Sequence, residues 1–421
     1  RENGGEGRAC LRVFNPWAVA VLVEWAAGRQ DALVRVDDSG CFEWQGILPD
    51  GLADADYVLL VDEGEGFLRQ RDPYAFAAQA SGEDMFLFAE GRHGLCYQWL
   101  GARPEIRQDE EGRRWVHGVC FRLWLPGAEC VAVVGPFNRW DHRMHRMMPL
   151  LQGGQDGQGT QSGIWEVFIP QLPAGTLYAF EFLLPGQPAM IRVEDPCARH
   201  RVAGEGFLAR VAALAEHVWR DGAWLGRRSM NRRSPFVPRL VSQTLADDFS
   251  RVTGDAGALQ RLANQMAAQV HAAGGTHLLL SPRARHFSPG LHWGGPQDWR
   301  CLVDACHQAG VGVVIDWLEH EDVARFRLGC PQERSLWLSG ARYWLDEFHV
   351  DGLRINGLES FMEASAEHAG QFFQDLNLLI HREFPGVLRV AVSHWPASRV
   401  TTPVHEGGLG FSLQEKPAGD K

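Results

Sequence analysis

The spacing of apolar residues changes near residue 240, and this change constrains the fold more than any other feature of the chain. Before it, short β-rich runs such as "AVAVLVEW", "DYVLLVDEG", "CFRLWLP" and "LYAFEFLLPG" are separated by Gly, Asp and Pro turn signals. Runs that short, joined by turns, build antiparallel sheets, and their distribution predicts two β-sandwiches. After it, helical stretches alternate with nearly all-apolar strands, "THLLLSP", "VGVVIDW", "HVDGLRI" and "VLRVAVS". Leu259, Leu262, Met266 and Val270 share one helical face, and Gly274-Gly275 stops that helix. Strands apolar on both faces belong to a parallel sheet with helices outside it. They are expected at 276–282, 311–317, 348–355 and 387–393, with a weaker one at 236–243 interrupted by Pro238. The Gly- and Gln-rich run 152–163 is expected to be a mobile loop.

Composition narrows the function. A chain of 421 residues suggests two to four domains. Asp and Glu number 52 against 41 Lys and Arg, and a net charge of −11 argues against nucleic acid or an anionic membrane as a partner. Sixteen tryptophans against five tyrosines matter because flat indole faces suit sugar rings as well as cores. The nine cysteines form no C-x-x-C pair, and no basic-then-apolar leader opens the chain, so a reduced, cytoplasmic setting is expected. No apolar run approaches membrane-spanning length. No phosphate-binding or nucleophile-elbow motif is present, and no cofactor is expected. Glu319, His320, Glu321 and Asp322 match no metal-ligand spacing and read as a solvated loop end.

"FRLWLPGAECVAVVGPFNRWD", with "SGIWEVFIPQLPAG" and "LYAFEF", resembles the family 48 carbohydrate-binding module of 1,4-α-glucan branching enzymes. "RDPYAF" and "DMFLFAEGRHGLCYQWLGARPE" resemble the domain that precedes that module in bacterial branching enzymes. "LVDACHQAGVGVVIDW", "ARYWLDEFHVDGLRI", "LNLLIHREFPGVLRVA" and "PVHEGGLGFS" resemble the catalytic (β/α)8 barrel of glycoside hydrolase family 13. The resemblance implies a multidomain β plus α/β chain, with two N-terminal antiparallel β-sandwich modules followed by an incomplete barrel of about five of its eight strands. It places the first module at 8–105, the carbohydrate-binding module at 110–200, a linker at 201–240, the barrel at 241–412 and a polar tail at 413–421. An open parallel sheet needs its edge covered, and the N-terminal modules, the tail or a second copy of the chain would serve near 387–393.

Members of this family cut an α-1,4 glucan and rejoin it as an α-1,6 branch. Double displacement takes a carboxylate nucleophile, a protonated carboxyl and a third carboxylate on the sugar hydroxyls. The resemblance puts Arg354 of "DGLRI" where the family orients its nucleophile, and Asn356 at the nucleophile's own place. Counting back from Pro403 puts Val392 at the acid/base position, and the third carboxylate belongs to a strand later than the chain reaches. Asp316 is retained, whereas the family's sugar-contacting His falls at Glu321, one place after His320. The expectation is a pseudoenzyme of glycogen metabolism that binds α-glucan or a protein partner, either itself or a full-length branching enzyme. The alternatives are an active enzyme using displaced carboxylates (Asp316, Glu319, Glu321 or Glu359) and a scaffold that binds no sugar. Trp140 of "FNRWD" falls where related modules stack on glucan, with Asn138 beside it, although packing at the sandwich edge would also explain it. Trp124 and Trp165 alternate with apolar residues and are expected in the core, and Asp351 is expected to hold the sheet end.

Overall fold

The computed structural model describes residues 8–26, 28–47, 57–108, 115–152, 160–202, 207–213, 217–230, 238–242, 249–283, 286–290, 293–365 and 367–417. The chain divides into two compact units. The first holds residues 1–80, 100–195 and 207–213, and the second holds 81–99, 196–206 and 214–421.

Among the described residues, four antiparallel sheets build the first unit, as two sandwiches. In one, Ala20–Trp25 lies between Gln30–Ala32 and Tyr57–Asp62, and Phe67–Gln70 adds to the far side. Its alternating burial buries Val21, Val23 and Trp25. They meet Phe42 and Trp44 of the facing strand Cys41–Ile47, with the Trp25 and Trp44 rings 4.9 Å apart. In the other sandwich, Trp115–Trp124 sits between Gly101–Gln108 and Thr160–Pro170. Phe121 packs on Tyr178 at 5.1 Å and on Phe180, both from Leu177–Leu183. Trp165 is buried as expected, and Trp124 is half-buried. Residues 153–159 of the expected 152–163 loop lie outside the described residues, and from Thr160 onward the run is already strand.

The second unit is a curled parallel sheet of six strands in chain order, Leu240–Ser242, His277–Leu280, Gly312–Leu318, Gly352–Asn356, Leu388–Val392 and Leu413–Glu415. All seven residues of the third strand are buried, which is why it shows no alternation. The helix Ala256–Ala272 starts where Asp255 accepts the Ala258 N–H and ends before Gly274 at φ +67°. It buries Leu259, Met266 and Val270.

The tertiary structure adds three features to this outline. Among the described residues the incomplete barrel, expected with about five strands, has six, because Leu413–Glu415 of the expected polar tail pairs in parallel with Leu388–Val392 and covers its edge. That strand is too short for any periodicity to reveal. Residues 81–99, expected within the first module, belong to the second unit, where the His93 and Tyr97 N–H groups donate to Ser335 and Ser339 of the helix Pro331–Phe348. The expected linker 201–240 contains the strand Ala209–Arg210 and the helix Gly222–Met230. Asp221 precedes that helix and accepts from His307 and His349, which ties the segment to the sheet.

Candidate functional site

In a parallel α/β sheet the strand ends after the last apolar residue are where polar side chains can gather without burying uncompensated charge. Here the C-terminal ends of the third to sixth strands bring four such residues together. Register sets Asp316 beside Arg354, Asn356 beside Val392, and Val392 beside Glu415. Arg354 donates from Nη1 to Asp316 at 2.7 Å and from Nε to Glu415 at 2.9 Å. Ser281, just past the second strand, donates to the other oxygen of Asp316. Burial opposes the Arg354 charge, but the Asp316 and Glu415 carboxylates outweigh it and hold its pKa above the ordinary value.

Asn356 is half-buried at the end of its strand, and Val392 is only 3% exposed, an apolar side chain in the sheet. Glu359 accepts from the Ser393 hydroxyl at 2.6 Å and from the His394 N–H at 2.7 Å. Burial pushes its carboxyl up, yet these donors prevail and keep it ionised below its usual range. Glu359 thereby holds the loop after the fifth strand, to which Gln414 and Lys416 of the last segment also donate. Glu319 differs. Burial, then the Asp316 and Asp322 charges, raise its pKa, and its Oε1 has no hydrogen-bond partner among the described residues. Glu321 is exposed, and Asp322 is spent capping its own turn through the Glu319 N–H. At the opposite end of the sheet, Asp351 bonds His307, Trp224 and the Val313 N–H.

Glu415 and Ser281 were not legible as site residues. Glu415 stands 61 positions from Arg354, and nothing local marks it. If Glu415 clips the edge strand, Glu415→Ala should cost about 1 kcal/mol, a modest figure because the pair is partly solvated. The Ser393 amide, which donates to the Glu415 carbonyl at 3.0 Å, should then exchange its hydrogen faster. Unchanged exchange there would remove the clip.

In the first unit the turn Pro136–Asn138 leads to Trp140. Both Arg139 (φ 51°) and Trp140 (φ 61°) lie in the left-handed region, which turns the indole out of the strand path. Trp140 is half-buried with the Arg192 guanidinium 5.0 Å from its ring, and Arg192 is held by Glu181. Asn138 is the other residue expected at a glucan contact. It is 1% exposed, its amide nitrogen bonds Val133 and His145, and its oxygen accepts the Gly135 N–H, so it builds the turn that presents Trp140.

Residues 100–198 match carbohydrate-binding module 48, the isoamylase N-terminal domain. The chain is 30% identical to the 1,4-alpha-glucan branching enzyme GlgB of Nitrosospira multiformis, over 97% of this chain and 61% of that enzyme. It is 32% identical to the enzyme of the same name from Methylobacillus flagellatus, over 96% of this chain and 61% of that enzyme. It thus spans about three fifths of the length of the curated relatives it matches. A pullulanase from Anoxybacillus sp. LM18-11, crystallised with maltotriose, aligns over 98% of this chain and 65% of its own at 12% identity and a TM-score of 0.49. Along nearly its whole length, then, the chain is similar to 1,4-alpha-glucan branching enzymes, with a family 48 carbohydrate-binding module at 100–198.

Proposed function

We propose that the protein binds α-glucan, glycogen in the first instance, without cutting it. The observation that carries the reading is the pair at the sheet end, a neutral Asn356 in register with a buried Val392. Retaining glycoside chemistry needs two carboxyls about 5–5.5 Å apart across one sugar, one of them protonated. Val392 has no proton to give and Asn356 no charge. Asp316 and Glu415 are neutralised against Arg354, and Glu359 is committed to its loop. Glucan would be held at Trp140 in the family 48 module. The nine free cysteines agree with a reducing, cytoplasmic setting, and among the described residues no helix is long and apolar enough to cross a membrane. We assign the family modules to 8–105 and 110–200 and the barrel to 241–412, although residues 81–99 of the first module pack within the second compact unit.

One observation favours a second reading, an active enzyme with displaced carboxylates. Glu319 has a raised pKa, to which Asp316 contributes, and its Oε1 has no hydrogen-bond partner among the described residues. Co-sedimentation with glycogen and an iodine-stain branching assay separate the readings. The expected outcome is glycogen binding weakened about tenfold by Trp140→Ala, the loss of one stacked aromatic, with no branching by either protein. Branching activity abolished by Glu319→Gln would establish the second reading instead. No affinity for glycogen would leave a scaffold, whose partner would be a second copy or a full-length branching enzyme.

A further inference from the structure

The first unit contains a cavity of about 540 Å³ where its two sandwiches meet, remote in sequence from Trp140's partners Glu181 and Arg192. That volume suits a small molecule of one or two rings. Phe14, Trp17, Tyr74 and Phe137 supply aromatic walls. Four arginines also reach it, and three are neutralised. Arg12 pairs with Glu43 at 2.6 Å, Arg139 with Glu63 at 2.5 Å, and Arg143 with Asp141 at 2.6 Å. Two of these guanidiniums are further fixed over rings, Arg139 at 4.6 Å from Trp17 and Arg143 at 5.2 Å from Phe14.

The fourth, Arg71, is half-buried and has no ion-pair or hydrogen-bond partner among the described residues. The neighbouring Asp72 does not serve it, since its carboxylate accepts from the Tyr57 hydroxyl at 2.5 Å and the Tyr74 N–H at 2.9 Å. His145 also lines the cavity. Its Nδ1 lies 3.1 Å from the Asn138 amide nitrogen, which can only donate, so Nδ1 accepts and Nε2 carries the proton. Burial holds this ring neutral, with its pKa pulled down to about 4. Nε2–H has no protein acceptor among the described residues.

An unpaired guanidinium and a neutral N–H donor, on two residues that line one aromatic-walled cavity, match an anionic group carried on a ring whose C–H face can lie on aromatics. We propose that this cavity binds a hexose monophosphate, with its phosphate on Arg71 and the His145 Nε2–H and its sugar ring against the aromatic wall. A neutral maltosaccharide would leave the Arg71 charge unanswered, so the proposal does not rest on glucan binding at Trp140, although Asn138 and Arg139 of the cavity lining directly precede that residue.

Titration calorimetry of the whole chain with glucose 6-phosphate, glucose 1-phosphate, inorganic phosphate and maltose tests this. At least one sugar phosphate should bind saturably and more tightly than inorganic phosphate, and maltose should not displace it. Arg71→Ala, at a position with no partner to lose, should weaken binding by about tenfold or more while melting like the wild type. His145→Gln should weaken it less. Failure of both sugar phosphates to bind, affinity unchanged in Arg71→Ala, equal affinity for inorganic phosphate, or displacement by maltose would each overturn the proposal.

Discussion

Glu166→Ala should destabilise the first unit by about 3–5 kcal/mol, the cost of leaving a buried charge unpaired. Glu166 is 2% exposed and accepts from Arg122 Nε at 2.6 Å and Arg107 Nη2 at 2.8 Å. Burial alone would raise its pKa, but the two guanidiniums outweigh that and hold it below the usual carboxylate range. Arg107, 1% exposed, stacks 4.6 Å from the Phe168 ring and cannot swing to water. Glu105, on the same strand as Arg107 and the one next to that of Arg122, bonds both arginines, but a single carboxylate cannot balance two buried cations. Glu105→Gln should cost less, because Glu105 is 24% exposed and water shares the load. Urea denaturation followed by tryptophan fluorescence reads both losses, and equal losses for the two variants would refute the ranking. The sign with pH follows from the lowered pKa. The stabilisation is present above the unfolded Glu value of about 4.3 and fades as pH falls through the folded one.

His307→Gln should destabilise the second unit by about 2–4 kcal/mol near pH 6, with the penalty shrinking as pH rises. The imidazole lies between two carboxylates, Asp221 at 3.0 Å from Nδ1 and Asp351 at 2.8 Å from Nε2. Burial works against its charge, but Asp351 and then Asp221 overcome this and raise its pKa. Both carboxyls lie well below their usual range despite burial, held there by His307 together with His349 at Asp221 and Arg228 at Asp351. A raised histidine stabilises fully below its unfolded pKa of about 6.5 and loses that contribution as pH rises through the folded value. The two aspartates contribute above about 3.9 and lose it on acidification. His277, lowered chiefly by burial, works against stability on the acid side in both proteins. The difference between wild type and variant, measured by denaturant melts from pH 5 to 9, therefore isolates His307. A difference that stays constant across that range would show that the ring is not charged in the fold.

Several features were legible because they are local. Five of the six parallel strands fall inside the expected ranges, or within one residue of them, and four of these stand out from any neighbouring helix because they are apolar on both faces. The stop at Gly274 and the switch from two-residue to helical spacing were readable for the same reason. The resemblance pointed to Arg354, Asn356 and Val392, and register sets Asn356 opposite Val392 at the strand ends.

What no local pattern carries is which distant residues meet. Glu415 reaches Arg354 only because a three-residue strand pairs in parallel with its neighbour, and three residues show no period. Asn138 looked like a ligand contact beside Trp140, and only its burial and three hydrogen bonds identify it as the builder of the turn. Arg71 was one arginine among many until the fold paired the other three around it and left it alone. Residue order thus determined the strands and the helices, because periodicity and turn chemistry act over a few residues, and its motifs carried the resemblance to branching enzymes. The tertiary structure decided the charge partners and the cavity, because pairing between charges depends on distance in space and on exclusion of water, and neither is written along the chain.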